Sequence, residues 1–489
     1  MAKKAKAKSK ARKSAKTAKA AKRATTAKVA PTGARSPSRR ARGAAGGARA
    51  RVRMYRPGLG DCFLVFLPKE DGGDYKILID CGVILGTSDA KARMQAIMGD
   101  IAEATGGVID LLIGTHEHYD HLSGFVQAAD EFGQIDVAEV WLGWTENPRD
   151  AKARSLVKER QALVAALRLA EPRLRLAGDG ERAEEVQELL SFFGAAGSTA
   201  DALDAVRKKS KNLHYKKPTD APTTPEGTKA RIFTLGPPID TAMIRRYAPS
   251  KSNPETYEIA RTATFAAAFE TGAGGGFQPF DDRYALALDA SRGEPFFQRR
   301  YWEASPPPTP EQTRGEVLDR FDNGRRRIDS AWLEASPEMA LKLDSATNNT
   351  SLAIAIELDG GDVLLFAADA QVGNWLSWHD LEWEIEDDDK VTGPSLIERT
   401  ILYKVGHHGS HNATLRERGL EMMQNLEIAL LPVDKAMAMK KKWGKMPLPS
   451  LLEDLENRAS KFVLRTDEEA PRGAGVGVDP NGLWWDIPV

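Results

Sequence analysis

The sequence predicts a layered α/β fold in which two groups of strands and helices face each other across a long middle segment. In the first group, short apolar runs give way over 148–212 to an apolar spacing of three to four residues. After the middle segment, apolar runs of strand length return between positions 350 and 433. Short apolar runs are typical of strands, and a spacing of three to four is typical of helices.

Strands dominate the first group. Short runs rich in Val, Ile, Leu and aromatic residues are separated by Gly, Pro and Asp, which favour turns. Three of these runs predict a meander: RVRMYR, DCFLVFLP and YKILIDCG. The next run, VIDLLIG, is nearly all apolar and predicts a strand buried on both faces. Helices are expected over 148–212, and ARIFTLGPP at 230–238 returns to a strand.

The middle segment, 239–345, has a different composition. It contains Pro and Gly clusters such as TGAGGGF and ASPPPTP, which predict an irregular insertion rather than a second core. Strands then resume, with at least one helix near the end, SLLEDLENRAS; the four strand runs are TSLAIAIEL, DVLLFAADA, ILYKVG and EIALLPV. We therefore expect a single domain over 51–489.

Residues 1–50 form a basic arm. Of the 69 Lys and Arg residues, 20 fall in residues 1–60, which contain no acid; residues 61–489 therefore carry 49 basic and 69 acidic residues. Up to Arg51 the only large apolar residues are Met1 and Val29, so we expect the arm to be disordered. Spaced positive charge binds phosphate backbones without reading sequence, so nucleic acid is the expected partner. The alternative is a solvated tail that only increases solubility.

Cellular location is indicated by what the sequence lacks. It has no run of 18 or more apolar residues and no apolar segment near the N-terminus, so we expect no membrane span and no secretory signal. Cys62 and Cys81 are too few for a disulfide framework and are expected to be buried thiols. A cytoplasmic protein is expected, with association with the nucleoid through the arm as an alternative.

A histidine cluster follows the fourth predicted strand. The stretch GTHEHYDHLSG places three histidines and two carboxylates in six consecutive positions, in a chain with eight histidines. Histidine and carboxylate side chains clustered in this way indicate a metal site. Loops that leave buried strands are the usual location of ligands in layered α/β proteins.

Two later segments could complete a metal site. Asp369 follows the apolar run LLFAA, where it could be a metal ligand or a helix N-cap. His407, His408 and His411 follow another strand, in LYKVGHHGSHNAT. All of these segments lie at the C-terminal ends of predicted strands, so one rim of the fold could hold them together.

These motifs resemble those of the metallo-β-lactamase fold hydrolases. The family's His-x-His-x-Asp-His loop matches His116, His118, Asp120 and His121. The order of the blocks is similar to that in the ComEC-type hydrolase domain and its free-standing relatives; the blocks are Gly58–Gly82, Leu111–Gly124, Asn348–Gln371 and Tyr403–Thr414. The resemblance implies an αββα sandwich of two mixed β-sheets flanked by helices, and it leaves the middle segment unmatched.

The resemblance also implies a centre of two divalent metals. His116 and His118, two apart in an extended loop, point the same way and would bind one ion, and His121 would bind the other. Asp120 would either bind the second ion or orient the nucleophilic water, and Asp369 would bridge the pair. Mixed His and Asp ligation favours Zn²⁺, with Mn²⁺ and Fe as alternatives.

The HHG block supplies the last ligand. Either His407 or His408 would bind metal, and the other would donate a proton to the leaving group or contact a phosphate. The sequence leaves this choice open. His411 is a candidate for supporting a ligand from behind.

The sequence departs from the family pattern at two points. A further histidine ligand is usual between the first loop and the bridging aspartate. The only histidine between 122 and 368 is His214, in a stretch interpreted as helix or loop, whereas Asn348, Asn349 and Ser351 match the Asn/Ser stretch of ComEC-type relatives. Ala368 stands where relatives have glycine. His214 and His379 are interpreted as ordinary structural or surface residues.

Three functions follow from these expectations. The first is a metal-dependent phosphodiesterase or nuclease that acts on DNA or RNA, with the arm holding the acidic body on a polyanion. The second is a hydrolase of a small ester, lactone or phosphodiester, for which the arm is irrelevant. The third is a nucleic-acid-binding module whose metal site is not catalytic.

Overall fold

Two large mixed β-sheets flanked by helices organise the chain. The computed structural model describes residues 49–176, 178–194, 198–246, 290, 293–297, 299, 336–385, 389–443, 446–471 and 473–489. The arm, which is expected to be disordered, lies almost wholly outside the described part. Most of the predicted insertion, 239–345, also lies outside it. At the boundary of the arm, the backbone N–H of Arg49 donates to the carbonyl of Val489 at 2.8 Å.

The first sheet has eight strands. In chain order they are β1 (Arg51–Tyr55), β2 (Cys62–Pro68), β3 (Asp74–Cys81), β4 (Val108–Gly114), β5 (Asp136–Gly143), β6 (Leu213–Lys216), β15 (Gly477–Val478) and β16 (Trp484–Pro488). Across the sheet the order is β15-β16-β1-β2-β3-β4-β5-β6. The pairs from β15 to β3 are antiparallel and those from β3 to β6 are parallel. The predicted meander is confirmed in β1, β2 and β3.

The second sheet has six strands. They are β7 (Arg231–Thr234), β8 (Ile354–Glu357), β9 (Val363–Phe366), β12 (Thr400–Lys404), β13 (Ile428–Leu431) and β14 (Phe462–Arg465). Their order is β14-β13-β12-β9-β8-β7, parallel from β14 to β9 and antiparallel from β9 to β7. A separate antiparallel pair consists of β10 (Glu382–Glu384) and β11 (Lys390–Thr392).

Helices occupy the connections. They are α1 (Ala90–Thr105), α2 (Tyr119–Leu122), α3 (Gly124–Gln127), α4 (Ala129–Gly133), α5 (Ala151–Leu176), α6 (Gly180–Leu190), α7 (Ser198–Lys208), α8 (Thr241–Ile244), α9 (Pro295–Phe297), α10 (Ser336–Asn348), α11 (Val372–Trp378), α12 (Gly393–Glu398), α13 (Lys435–Lys440) and α14 (Pro449–Arg458). The helices predicted over 148–212 are confirmed as α5, α6 and α7. Within the described residues, no helix is both long and apolar enough to cross a bilayer.

Strand β2 shows why the apolar runs are continuous. Phe63, Val65 and Leu67 belong to a core cluster that contains side chains of both sheets, and Phe63 meets Phe366 edge to face at 5.8 Å between ring centroids. The alternate residues of β2, including Leu64, belong to a cluster shared with α1, α3 and α7. Because successive side chains of a strand point to opposite faces, a strand buried on both faces needs apolar residues throughout.

Two expectations are changed by the structure. His214 lies in β6, a strand, so its interpretation as part of a helix or loop is wrong; the short run LHYK lacks an apolar pattern, and pairing with β5 determines its conformation. The His214 side chain is more than half exposed, 3.5 Å from Glu139. The predicted insertion ends in an ordered helix, because α10 begins at Ser336 and buries Leu343 and Asp344.

Candidate metal centre

Three strand ends from the two sheets converge on one buried cluster. β4 leads to His116, β9 to Asp369, and β12 to the HHG turn. Nε2 of His121 lies 3.1 Å from Oδ2 of Asp369, and Nε2 of His408 lies 2.9 Å from Oδ2 of Asp120. The structure therefore brings together the three segments that the sequence singled out.

The loop after β4 is held tightly against the ends of β2 and β3. The backbone N–H of Asp61 donates to the carbonyl of Asp120 at 3.0 Å. At Gly82 an added Cβ would lie only 2.5 Å from the carbonyl carbon of Asp120, so a larger residue would push the loop away. The glycine is therefore required for the close approach that positions Asp120 and His121.

The first group of possible metal ligands consists of His116, His118 and Asp369. Nε2 of His116 lies 3.0 Å from Nδ1 of His118 and 4.0 Å from Oδ2 of Asp369. All three side chains are buried. Two imidazole nitrogens and one carboxylate oxygen facing the same point are typical ligands of a divalent transition metal.

The second group consists of Asp120, His121, Asp369 and His408. It shares Asp369 with the first group, as expected for a bridging carboxylate. Of the two neighbouring histidines, His408 belongs to this group and His407 does not. The geometry thus favours His408 as the ligand, a choice that the sequence leaves open.

The outward nitrogens of two histidines are fixed by hydrogen bonds. Nδ1 of His121 lies 2.7 Å from Oδ2 of Asp80, and Nδ1 of His408 lies 2.6 Å from the carbonyl oxygen of Pro432. Both partners are acceptors, so each Nδ1 carries the proton and donates. In the neutral form of each ring the lone pair is then on Nε2, the atom that faces the cluster.

His407 lies beside the two groups rather than in them. Its Nδ1 is 2.8 Å from Oγ of Ser410, its Nε2 has no partner, and its backbone N–H donates to Oδ1 of Asp369 at 3.0 Å. It keeps 6% of its surface exposed, in contrast to the fully buried His408. His407 therefore lies at the slightly exposed edge of the cluster. His411 belongs to neither group.

The backbone of the rim is locally left-handed. Ala368 has a φ of 49°, His407 of 40° and His408 of 52°. L-residues adopt this region at a cost of about 1–2 kcal/mol, and glycine adopts it freely. The departure at Ala368 therefore leaves the turn intact, because the alanine takes the conformation in which glycine would be unstrained.

A buried lysine lies behind Asp369. Nζ of Lys404 forms an ion pair with Oδ2 of Asp61, donates to the carbonyl of Ala368 at 3.0 Å, and lies 3.5 Å from Oδ1 of Asp369. Burial opposes the charge of Lys404, but Asp61 and Asp369 outweigh it and raise the pKa of the ammonium. Within the third group of possible ligands, Asp61, Asp80 and His121, the Lys404 ion pair and the hydrogen bond between His121 and Asp80 already occupy part of the polar atoms.

Electrostatics divide the buried histidines into two classes. Burial lowers the pKa of His118 to about 3 and that of His407 to about 4, so both are neutral near pH 7. Burial also opposes charge on His121, but Asp369 and Asp61 outweigh it and raise its pKa well above the usual value. A metal ion would compete with that proton, because metal binding requires the neutral ring.

The cluster leaves an unusual number of buried polar atoms without a hydrogen-bond partner. Buried polar atoms in proteins are nearly always paired, so each exception indicates a role. Those of this cluster are Asp61 Oδ1, His118 Nε2, Asp120 Oδ1, His121 Nε2, Asp344 Oδ1, Asp369 Oδ2 and His407 Nε2. Several of them belong to the two ligand groups. The buried His and Asp residues could therefore hold a metal ion.

The Asn/Ser stretch supports the loop that carries Asp369. Oγ of Ser351 accepts from the backbone N–H of Asp369 at 3.2 Å and lies 3.4 Å from Nδ1 of His116. Oδ1 of Asn349 accepts from the backbone N–H groups of Gln371 and Asn374, both at 3.1 Å.

Two further contacts hold helices against the loop. Arg160 of α5 forms a buried ion pair with Glu117, the residue between the first two histidines, and contacts Glu146 at 3.3 Å. Phe192, in the turn after α6, stacks on His118 at 5.3 Å and on Trp443 at 4.8 Å between ring centroids. These aromatic rings cover the first ligand group.

Sequence reasoning missed four charged residues of the site. Asp61, Asp80 and Lys404 lie in apolar strand runs, and Asp344 lies in the predicted insertion. The only available signal was a charge inside or directly beside a run of buried apolar residues. Such a charge requires a partner or a site.

Comparison with known proteins found no similar protein. No family model, curated protein or solved structure matches this chain.

Proposed function

We propose that the chain is a metal-dependent hydrolase of the metallo-β-lactamase fold, and that it cleaves phosphodiester bonds of DNA or RNA. The observation that carries the proposal is the convergence of His116 and His118, Asp120 and His121, Asp369 and His408 into two buried ligand groups. The core cluster that joins both sheets, with helices packed on the other faces, supports an αββα arrangement.

The two ligand groups, which share Asp369, support two divalent ions rather than one. One buried lysine, Lys404, accompanies the buried carboxylates, which are Asp61, Asp80, Asp120, Asp344 and Asp369. These carboxylates outnumber the ammonium, so divalent cations bound among them would compensate negative charge. Uncompensated charge is costly in a buried site, so the bound ions would also stabilise the fold. We propose Zn²⁺, with Mn²⁺ or Fe as alternatives.

Two ions held in these groups would supply a hydroxide near neutral pH. They would also stabilise the negative charge on the oxygens of the attacked phosphate and on the leaving oxygen. The protein's own residues would do the rest. Asp120, kept ionised because His121 and His408 outweigh burial and lower its pKa, can accept a proton from the attacking water. His407, at the slightly exposed edge of the cluster, is the candidate phosphate contact or proton donor.

The nucleic-acid part of the proposal rests on charge. The body over 61–489 has 20 more acidic than basic residues, whereas residues 1–60 contain 20 basic residues and no acid. An acidic body repels a polyanion, and a basic arm binds one by releasing counterions. The arm would therefore hold DNA or RNA near the centre. We place this activity in the cytoplasm, including the nucleoid.

A cleavage assay tests this proposal. Full-length protein, a variant lacking residues 1–48, and the Asp120→Ala/His121→Ala double variant are incubated with labelled single- and double-stranded DNA and RNA. Zn²⁺ or Mn²⁺ is added, with and without a chelator. A nuclease requires Asp120, His121 and metal, and loses polymer cleavage when the arm is removed.

Other outcomes distinguish the alternatives. Hydrolysis of a small chromogenic ester or phosphodiester that is indifferent to the arm would favour a small-molecule hydrolase. Nucleic-acid binding that survives in the double variant, without cleavage under any condition, would favour a binding module. Either result would overturn the nuclease proposal.

A further inference from the structure

Helix α10 brings a carboxylate of the predicted insertion up to the metal centre. Asp344 is only 3% exposed, and its Oδ1 lies 3.8 Å from Nε2 of His118. Neither atom has a hydrogen-bond partner. The other oxygen, Oδ2, accepts from Nδ2 of Asn348, one turn later in the same helix, at 3.1 Å. Asn348 thus fixes the carboxylate with its free oxygen towards His118.

The two nitrogens of His118 have separate surroundings. Nδ1 faces Nε2 of His116 at 3.0 Å, inside the first ligand group. Nε2 is on the far side of the ring. Within the described residues, the charged side chain that lies within 4 Å of Nε2 is that of Asp344. If Nδ1 offers its lone pair to a metal, Nε2 carries the proton and needs an acceptor.

Other ligand histidines of the cluster already have such an acceptor. His121 donates to Asp80 at 2.7 Å, and His408 donates to the carbonyl of Pro432 at 2.6 Å. At His118 the distance is about 1 Å longer than a hydrogen bond, a gap that a small rotation of either side chain closes. Among the described residues no lysine or arginine forms an ion pair with Asp344. Burial, with Asp120 and Asp369 nearby, raises the pKa of its carboxyl well above the usual value, and cations bound by those two carboxylates would oppose that shift.

We propose that Asp344 is a positioning residue for the first metal: its carboxylate accepts the Nε2 proton of His118 and holds the Nδ1 lone pair on the ion. This inference rests on the metal centre of the proposed function, but not on its substrate. It gives the segment 239–345 a role in metal binding, which the sequence did not indicate.

Metal affinity tests this role without any substrate. Zn²⁺ is titrated into metal-free full-length protein in competition with a chromophoric chelator, which resolves a tighter and a weaker ion. Loss of a carboxylate behind a histidine ligand typically weakens metal binding about 10–100-fold. We expect Asp344→Ala to weaken one ion by this factor, and Asp344→Asn, which keeps an acceptor oxygen, to weaken it less.

A matched variant identifies which ion is affected. Asp80→Asn removes the charge behind His121 and should weaken the other ion. In the zinc-loaded protein, the Nε2 proton resonance of His118, identified by its loss in His118→Gln, should shift upfield in Asp344→Asn. Circular dichroism melting in the presence of chelator checks that each variant folds.

The outcomes are separable. If Asp344→Ala binds both ions as the wild type does, or loses both ions equally and melts early, the positioning role is wrong. If the wild type binds two ions and Asp344→Ala loses one selectively, the role stands even if no nucleic acid is cleaved. If the wild type binds no metal, the positioning role and the proposed function both fail.

Discussion

Nε2 of His408 lies 2.9 Å from Oδ2 of Asp120, although the two residues are 288 positions apart in the chain. This contact joins the loop after β4, in the first sheet, to the turn after β12, in the second. Both atoms belong to the second ligand group. A contact between a carboxylate and an imidazole lone pair is unfavourable unless a proton or a metal lies between them, so it marks the place of a cation.

The two neighbouring histidines should differ in their effect on metal binding. His408→Ala removes a member of the second ligand group, and we expect it to weaken one of the two metals by at least about 10-fold. His407→Ala should leave both affinities near the wild-type value, because His407 lies outside both groups. Competition titration with a chromophoric chelator measures both variants. Equal losses in the two variants would contradict the assignment of His408.

Lys404 should be essential for stability. Lys404→Met leaves Asp61 buried without its cation, which typically costs about 3–5 kcal/mol. A control is Lys461→Met, whose ion pair with Glu427 is half exposed and should contribute less than about 1 kcal/mol. Urea unfolding of metal-free protein measures both changes. A loss below about 1 kcal/mol in Lys404→Met would mean that the ion pair is not buried as described.

The left-handed turn before Asp369 should prefer glycine. Ala368→Gly relieves a φ of 49°, so we expect the free energy of unfolding to stay level or to rise by up to about 1 kcal/mol. Its neighbour Ala367 has no positive φ, and Ala367→Gly should destabilise the protein by about 1 kcal/mol. Thermal and urea unfolding distinguish the pair. Equal destabilisation by both glycines would show that Ala368 is not strained.

Acid should destabilise the metal-free protein, in part through His407. Burial lowers its pKa to about 4, from an ordinary value of 6.5. Between those pH values the unfolded chain binds a proton that the folded protein does not, so stability falls as the pH falls through this window. The contribution is at most about 1.4 kcal/mol per pH unit. His407→Asn should reduce the slope of the free energy of unfolding against pH by up to that amount. Urea unfolding with a chelator present measures the slope. An unchanged slope would show that His407 is protonated normally in the fold.

The sequence predicted the elements of this fold better than it predicted the site. The strands β2, β4, β9 and β12 were recognisable because burial on both faces requires continuous apolar runs. The three strand-end segments were recognisable because clustered histidines and carboxylates rarely serve packing alone. Short β6 was missed because its conformation depends on pairing with β5, which no local pattern records.

The charges behind the ligands required the structure. Lys404 lies 343 positions from Asp61, and no local pattern in ILYKVG predicts that its lysine is buried. The choice between His407 and His408 depends on two successive left-handed residues, which direct the adjacent side chains to different places. Asp344 lies in a segment without a recognisable motif. Long-range pairing and backbone conformation decide these roles.

The bound metal content of the protein tests the central claim most directly. Full-length protein and the Asp120→Ala/His121→Ala double variant are loaded with Zn²⁺, separated from free metal by gel filtration, and analysed by elemental mass spectrometry. We predict about two zinc ions per wild-type chain and at most about one in the double variant. A wild-type protein that is folded, as judged by circular dichroism, and retains no zinc would contradict the account.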